Sequence, residues 1–271
     1  MTNKELINEV KALLGEGYTV ETKIVEKANG ISKKGIVITE MDSKISPTIY
    51  VEKGMTAKDI VNIYNKNKNG GDLGISNIND FMNRDYILAN VIPVLYNKTE
   101  CANMLESAVN VTCADLAIAF RVRINDLATF LVRENMLNTY NISEQELYDT
   151  AIANIQGKGK VMDIMAMLTG YGMEVDEEMD VPMVVVMNDD KTFAASMILD
   201  KEVQAKLDKI FTEGYYILPS SIHEVIAVTK SGDSSELSNM VKEINRTVLN
   251  KEEFLSNNIY EIVNGELTLV R

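Results

Sequence analysis

The chain has 271 residues, of which 46% are hydrophobic and 25% charged, and its net charge is -13. This composition is typical of a folded globular protein with a large core and argues against a disordered chain. The surplus of Asp and Glu works against nucleic acid and anionic membranes as partners, because both attract Lys and Arg. We therefore expect no nucleic-acid partner.

The sequence favours a cytoplasmic location. Charged residues interrupt the N-terminal segment MTNKELINEVKALLGEGY, so it lacks the apolar centre of a signal peptide. No apolar run approaches the roughly 20 residues that a membrane helix needs. Cys101 and Cys113 are too few for a disulfide framework, and with a single histidine they cannot complete a structural zinc site. We expect no metal, no cofactor and no membrane association.

The first part of the chain predicts a helix followed by a small sheet. Apolar residues at helical spacing predict a helix over residues 6–14, and alternation predicts a strand over residues 18–24. Asn29-Gly30 is a dipeptide that favours a tight hairpin turn. The next strands of an antiparallel meander are expected at residues 36–39 and 49–51.

A capping box marks the second helix, and a loop follows it. Thr56 and Asp59 have the spacing of a helix cap. The stretch NKNKNGGDLG, residues 65–74, is rich in Asn and Gly, which favour turns. We take it as the boundary between two lobes. Residues 1–83 form an N-terminal α+β lobe with a small antiparallel meander, and residues 84–271 form a C-terminal α+β lobe with a larger antiparallel sheet.

The C-terminal lobe is expected to begin with extended segments. The run ILANVIPVLYN after Tyr86 predicts a strand, and the alternation over residues 115–124 predicts another, which forms a hairpin with LATFLVR. Ser143 and Glu146 form a capping box that begins a helix. A methionine-rich helix is predicted over residues 161–168.

Strands and helices continue to alternate irregularly up to the C-terminus. PMVVVM predicts a buried strand, and a turn at residues 188–190 leads to a second strand, TFAAS. A helix over residues 203–210 precedes the strands YYILPSS and HEVIAVT, and a helix over residues 237–248 precedes a hairpin around Asn264-Gly265. Because short turns join most strands, we predict an α+β fold with antiparallel sheets and helices packed on a face.

Five segments of the second half follow one another in a recognisable order: NVIPVLYN, ADLAIAFRV, ISEQELYDTAIANI, PMVVVMNDDKTFAAS and YYILPSSIHEVIAV. In this order, over roughly residues 86–271, they resemble an uncharacterised bacterial domain-of-unknown-function family, with ILPSSIHEVI as the most specific piece. The resemblance implies a mixed α/β fold and an intracellular bacterial or mobile-element origin. It implies no functional residues, because the family has no assigned activity.

The candidate catalytic residues are Ser220, Ser221, His223 and Glu224. They contain the serine, imidazole and carboxylate of a hydrolytic triad. In a strand, however, Ser221 and His223 stand side by side and not in a relay geometry, so convergence requires a sharp turn. The alternative interpretation is a turn between two strands that begins at Pro219 and is capped by serine hydroxyls.

The candidate ligand-binding residues are Arg121 and Arg123. They share one face of a predicted strand, where they could hold a carboxylate or a phosphate or lie on a half-exposed sheet face. Residues 157–160, GKGK, lack the first glycine and the hydroxyl of a phosphate loop, so we assign these glycines to turns. The acidic run at residues 174–180 lacks the order of a calcium loop and indicates a solvated loop.

The sequence leaves the function open between two classes. The leading hypothesis is a non-enzymatic binding or protein-interaction protein, with a protein partner and a small-molecule ligand both open. The alternative is a hydrolase or transferase with its site around Ser220, Ser221, His223 and Glu224. An enzyme needs a concave pocket with converging polar groups, whereas an interaction protein should offer an exposed apolar patch.

Overall fold

A computed structural model of the chain describes residues 3–41, 46, 48–67, 82–125, 128–170, 182–230 and 234–270. The described strands form three sheets, and every strand pairing in them is antiparallel. Helices pack on these sheets, so the predicted α+β class is confirmed. None of the described helices combines the length and the apolar character needed to cross a membrane.

The N-terminal elements form the predicted meander, with strand order β1-β2-β3. Helices α1 and α2 contact each other and complete a small apolar core that includes Val10, Ile38 and Ile60. The capping box is present, because the Thr56 amide and hydroxyl both donate to the Asp59 carboxylate. The elements are α1 (Asn3–Leu14), β1 (Tyr18–Glu26), β2 (Ser32–Glu40), β3 (Thr48–Tyr50) and α2 (Ala57–Asn67).

The second sheet has β6 at its centre, with β4 on one edge and both β5 and β7 along the other. Helix α6 packs on β4 and β6. It begins at Ser143, whose hydroxyl accepts from the Glu146 amide as the capping box predicted. The elements are α3 (Arg84–Asn90), β4 (Val91–Asn97), α4 (Ala102–Leu105), β5 (Asn110–Cys113), β6 (Leu116–Arg123), β7 (Thr129–Leu131), α5 (Glu134–Tyr140) and α6 (Glu144–Ile155).

The third sheet has six strands in the order β13-β12-β10-β11-β9-β8. The predicted C-terminal hairpin of β12 with β13 is present, and the two predicted strands β10 and β11 also pair as a hairpin. The elements are β8 (Lys160–Asp163), α7 (Ile164–Gly170), β9 (Met183–Met187), α8 (Lys201–Ile210), β10 (Tyr215–Ser221), β11 (Glu224–Thr229), α9 (Ser234–Thr247), β12 (Tyr260–Val263) and β13 (Glu266–Leu269).

Three predictions about single elements are wrong. The segment from Tyr86 to Asn90 is helical because Asn83 caps it by accepting from the Tyr86 amide. The predicted helix over residues 161–168 begins as strand β8, which pairs with β9. TFAAS is not a strand, because residues 194–199 form a buried 3-10 helix.

This 3-10 helix joins the second and third sheets into one core. It contacts β4 of the second sheet and β9 and β11 of the third. Ala194 and Ala195 have no exposed surface, and their small side chains allow the backbone to lie close to both sheets. The loop predicted at residues 65–74 lies outside the described residues from position 68 onward, and the division into lobes at residue 83 stays a prediction.

Asn29 links the N-terminal meander to the rest of the protein. It lies in the β1–β2 turn with a φ of 58°, and it has no exposed surface. Its Nδ2 donates to the carbonyl oxygens of Lys251 and Phe254, each at 2.8 Å. Its backbone amide donates to Cys101 Sγ at 3.2 Å, and its Oδ1 accepts from the same thiol at 3.3 Å. One buried side chain therefore ties the turn to two distant segments.

We predict that Asn29→Ala lowers the free energy of unfolding by about 2–4 kcal/mol, because buried carbonyl oxygens lose their donor. Urea denaturation measures this loss. The matched control is Asn264→Ala, because Asn264 also has a positive φ, of 52°, but lies in an exposed turn. The control should lower the free energy of unfolding by only about 1 kcal/mol, which is the cost of placing alanine at a positive φ. Equal losses in the two variants would contradict the role given to the Asn29 side chain.

Candidate functional site

A cavity of about 410 Å³ lies where the three sheets meet, and we call it the junction cavity. Its volume is within the range of small-molecule pockets, roughly 300–1,000 Å³. The end of β1, the face of the second sheet, and the β10–β11 turn all contribute to its wall. The wall includes Arg121, Arg133, Phe193, His223 and Glu253, and Glu252, which is paired with Lys33.

Arg121 crosses the face of the second sheet into the junction cavity. Ala117 and Ala119 precede it on the same face of β6, and their small side chains leave room for it to reach Tyr96. Its Nη1 lies 3.2 Å from the Tyr96 hydroxyl, and its Nε donates to Thr129 Oγ1 at 2.7 Å. Burial raises the pKa of Tyr96, so this phenol stays protonated. These contacts fix the orientation of the guanidinium.

Phe193 also contacts the Arg121 guanidinium. The Cζ atom of Arg121 lies 5.2 Å from the centroid of the Phe193 ring. This cation–π contact adds to the fixed orientation of Arg121. Arg121 is half-buried, and no described carboxylate forms an ion pair with it. Its charge is therefore held in the wall of the cavity by neutral neighbours only.

His223 lines the same cavity, and its ring contacts the ring of Phe193 at a centroid distance of 5.7 Å. Its Nδ1 accepts from the Phe193 amide at 3.1 Å. The imidazole therefore carries its hydrogen on Nε2, which can donate to a ligand. Phe193 has a φ of 54°, which is rare for an aromatic residue and costs on the order of 1 kcal/mol. The backbone is thus strained at the point where it holds His223.

The other candidate catalytic residues are close together but bonded locally. Ser220 Oγ donates to Glu224 Oε1 at 3.2 Å, and Ser221 Oγ accepts from the backbone amide of His223 at 2.9 Å. Ser221 is only 6% exposed. No hydrogen bond among the described residues joins a serine hydroxyl to the imidazole. Ser221 therefore caps the turn between β10 and β11, and Ser220 bonds across it to Glu224, while His223 lines the cavity.

Arg123 lies on the same face of β6 as Arg121 but lines a second cavity, of about 430 Å³. It forms an ion pair with Asp190 there. Gly157, Lys158 and Lys160 line this cavity too. The amides of Gly157 and Gly159 donate to the buried carboxylate of Asp200 at 2.9 and 3.4 Å. The loop therefore binds a carboxylate of its own chain, as a helix cap, in place of an external phosphate.

Sequence reasoning missed Arg133, Phe193 and Glu253 as cavity residues. Arg133 shares a sheet face with Arg121, because Leu131, two residues before it, pairs with Arg121 across the β6–β7 ladder. Phe193 and Glu253 reach the cavity from separate parts of the chain. No local motif connects these positions, so only the tertiary structure reveals them.

The described part of the chain contains no group of three or more residues suited to a metal ion. The acidic run at residues 174–180 lies outside the described residues. Cys101 and Cys113 are free thiols. Cys113 lines a third cavity, of about 410 Å³, and burial raises the pKa of its thiol to about 11. A thiol with this pKa is a weak nucleophile at neutral pH.

A family model described as a family of unknown function, DUF5688, matches residues 3–262. The chain belongs to DUF5688. The match extends further towards the N-terminus than the segments that suggested the resemblance, and it includes the whole wall of the junction cavity. The comparisons with curated proteins and with solved structures found no match. The function of this DUF5688 protein must therefore be argued from its own geometry.

We predict that Cys113 reacts with iodoacetamide about two orders of magnitude more slowly than a free thiol at pH 8, because a pKa near 11 leaves little thiolate. Cys101 should be slower still, since it is 1% exposed and burial raises its pKa too. Mass spectrometry of timed samples measures both rates, and the urea-unfolded chain is the control. Labelling of native Cys113 at the unfolded rate would contradict the prediction.

Proposed function

We propose that this protein is a non-enzymatic binding protein whose junction cavity holds a small molecule with a carboxylate group. The observation that carries the proposal is Arg121, a half-buried guanidinium in the cavity wall without a carboxylate partner among the described residues. Its neighbours hold it in place but do not neutralise it. A ligand carboxylate would supply the missing negative charge.

The energetics favour this assignment. Burying a charge without a partner is costly, so proteins retain such a group mainly where a ligand or a partner pairs with it. Arginine forms strong charge-assisted hydrogen bonds with carboxylates, and a guanidinium that is already oriented loses little entropy on binding. His223 lines the same cavity, and the hydrogen on its Nε2 offers the ligand a second donor.

The hydrolase hypothesis has less support from the same geometry. Its serines donate to, or accept from, groups other than the imidazole. The imidazole in turn uses Nδ1 to hold Phe193. A triad needs the base bonded to the nucleophile and oriented by an acid.

We place the protein in the cytoplasm. The support is the pair of unpaired thiols, which a reducing compartment preserves. The expectation that it binds neither nucleic acid nor membranes rests on the net charge of -13.

We predict that at least one small carboxylate stabilises the protein in a thermal-shift screen of aliphatic, aromatic, amino and dicarboxylic acids. A ligand at about 100 times its Kd should raise Tm by roughly 5–10 °C. Arg121→Gln should abolish this shift, and Arg121→Lys should weaken it because lysine lacks the planar fork.

The matched control is Arg123→Gln, on the same face of β6 but outside the junction cavity, and it should keep the full shift. The proposal fails if no carboxylate raises Tm. It also fails if the shift survives in Arg121→Gln.

We predict that the protein hydrolyses p-nitrophenyl acetate no faster than buffer, and that Ser221→Ala and His223→Asn leave this rate unchanged. Asparagine at position 223 can still accept from the Phe193 amide through its side-chain oxygen, so the turn is preserved. Absorbance at the nitrophenolate band measures the rate. An esterase activity that both variants abolish would support the hydrolase instead.

A further inference from the structure

The junction cavity contains carboxylates as well as guanidinium groups. Glu26, Glu252 and Glu253 line it together with Lys27, Arg121 and Arg133. Glu252 forms an ion pair with Lys33, and both oxygens of Glu26 accept from the Ser32 hydroxyl. The side chain of Glu253 has no hydrogen bond or ion pair with any described residue. Glu253 therefore resembles Arg121, because neither charge has an oppositely charged partner among the described residues.

The backbone fixes the position of Glu253 next to the other cavity residues. Its carbonyl oxygen accepts from the Ile222 amide at 2.9 Å, and its own amide donates to Asn250 at 2.9 Å. Ile222 precedes His223, so the backbone of Glu253 is anchored to the residue next to His223, and both side chains line the cavity. Glu253 is half-buried and forms no ion pair with Arg121, although both line the cavity. Two opposite charges thus face one cavity without neutralising each other.

Apolar groups complete the lining. Met104, Leu131 and Ile222 contribute aliphatic surface, and Phe193 contributes an aromatic ring. A ligand that pairs with both Arg121 and Glu253 needs a negative group, a positive group and an apolar part between or beside them. Pairing each half-buried charge with an opposite charge on the ligand avoids the cost of desolvating it alone when the ligand binds.

We propose that the ligand is an ammonium–carboxylate zwitterion with an apolar side chain, that is, a free amino acid or a short peptide. This inference rests on the proposed function and extends it. The carboxylate binds Arg121 and the Nε2 hydrogen of His223, and the ammonium binds Glu253. Selectivity against simple fatty acids follows, because a ligand without an ammonium leaves Glu253 desolvated and unpaired.

Isothermal titration calorimetry with charge-deleted ligands tests the inference. The probes are L-leucine and L-leucyl-L-leucine, each compared with its N-acetyl form, which lacks the ammonium, and its C-terminal amide, which lacks the carboxylate. We expect the zwitterion of one of the two sizes to bind, and each deletion to weaken binding by at least roughly tenfold. Binding of L-leucine would indicate a free amino acid as the ligand, and binding of L-leucyl-L-leucine would indicate a peptide.

Two variants on one turn identify the ammonium partner. Glu253→Gln should weaken the zwitterion to the level of its N-acetyl form and leave the N-acetyl form unchanged. Glu252→Gln, whose wild-type carboxylate already pairs with Lys33, should preserve the preference for the zwitterion. The unchanged affinity for the N-acetyl form also shows that Glu253→Gln is folded.

The outcomes separate this inference from the proposed function. If N-acetyl-leucine binds as tightly as L-leucine, or if Glu253→Gln keeps the preference, the zwitterion is wrong while a carboxylate site stands. If Glu252→Gln and not Glu253→Gln removes the preference, the assignment of Glu253 is wrong. If the thermal-shift screen finds no carboxylate ligand at all, both proposals are overturned.

Discussion

The attachment of the N-terminal meander to the rest of the protein depends on one buried amide group. Asn29 has both its side chain and its backbone amide bonded to segments outside its own turn. Its neighbours Lys27 and Ala28 form part of the junction cavity, and the segment that accepts its hydrogen bonds carries Glu252 and Glu253. The contact that joins the N-terminal meander to the body of the protein therefore also sets the width of the cavity.

The second sheet explains why a charged residue, Arg121, lies in the wall of the cavity. Strand β6 is buried on both faces, with Phe120 on one and alanines on the other. Phe120 packs edge-on against Tyr148 of helix α6, which closes that face. On the opposite face the alanines leave a space that Arg121 fills. A larger residue at position 119 would occupy this space, so the location of the charge follows from the size of its neighbours.

The sequence predicted correctly those caps and turns that depend on residues only a few positions apart. The capping boxes at Thr56 and Ser143 and the turns at Asn29 and Asn264 are visible within a few residues, and the structure contains all of them. Strand β8 was misassigned because Met162 and Met165 have helical spacing, while its pairing with β9 depends on a partner far along the chain. TFAAS was misassigned because burial between two sheets overrode its strand-like composition.

The candidate site was predictable only in part. The sequence predicted Arg121 as a candidate ligand-binding residue and His223 as a candidate catalytic residue, and both line the junction cavity. Their shared neighbour Phe193 did not, because nothing in the sequence signals a left-handed aromatic residue. The serines beside His223 suggested a triad by composition, whereas hydrogen bonds local to the turn engage their hydroxyls.

The link made by Asn29 also has a consequence for how the chain acquires its structure. The hydrogen bond from Asn29 to Lys251 joins residues 222 positions apart. During synthesis the meander can form early, but the acceptors for its turn leave the ribosome only after more than 200 further residues have been made. Closing so large a loop costs entropy that only the finished contacts repay. The junction cavity therefore cannot be complete until residues 250–253 have been synthesised, and a chain truncated before Lys251 cannot contain it.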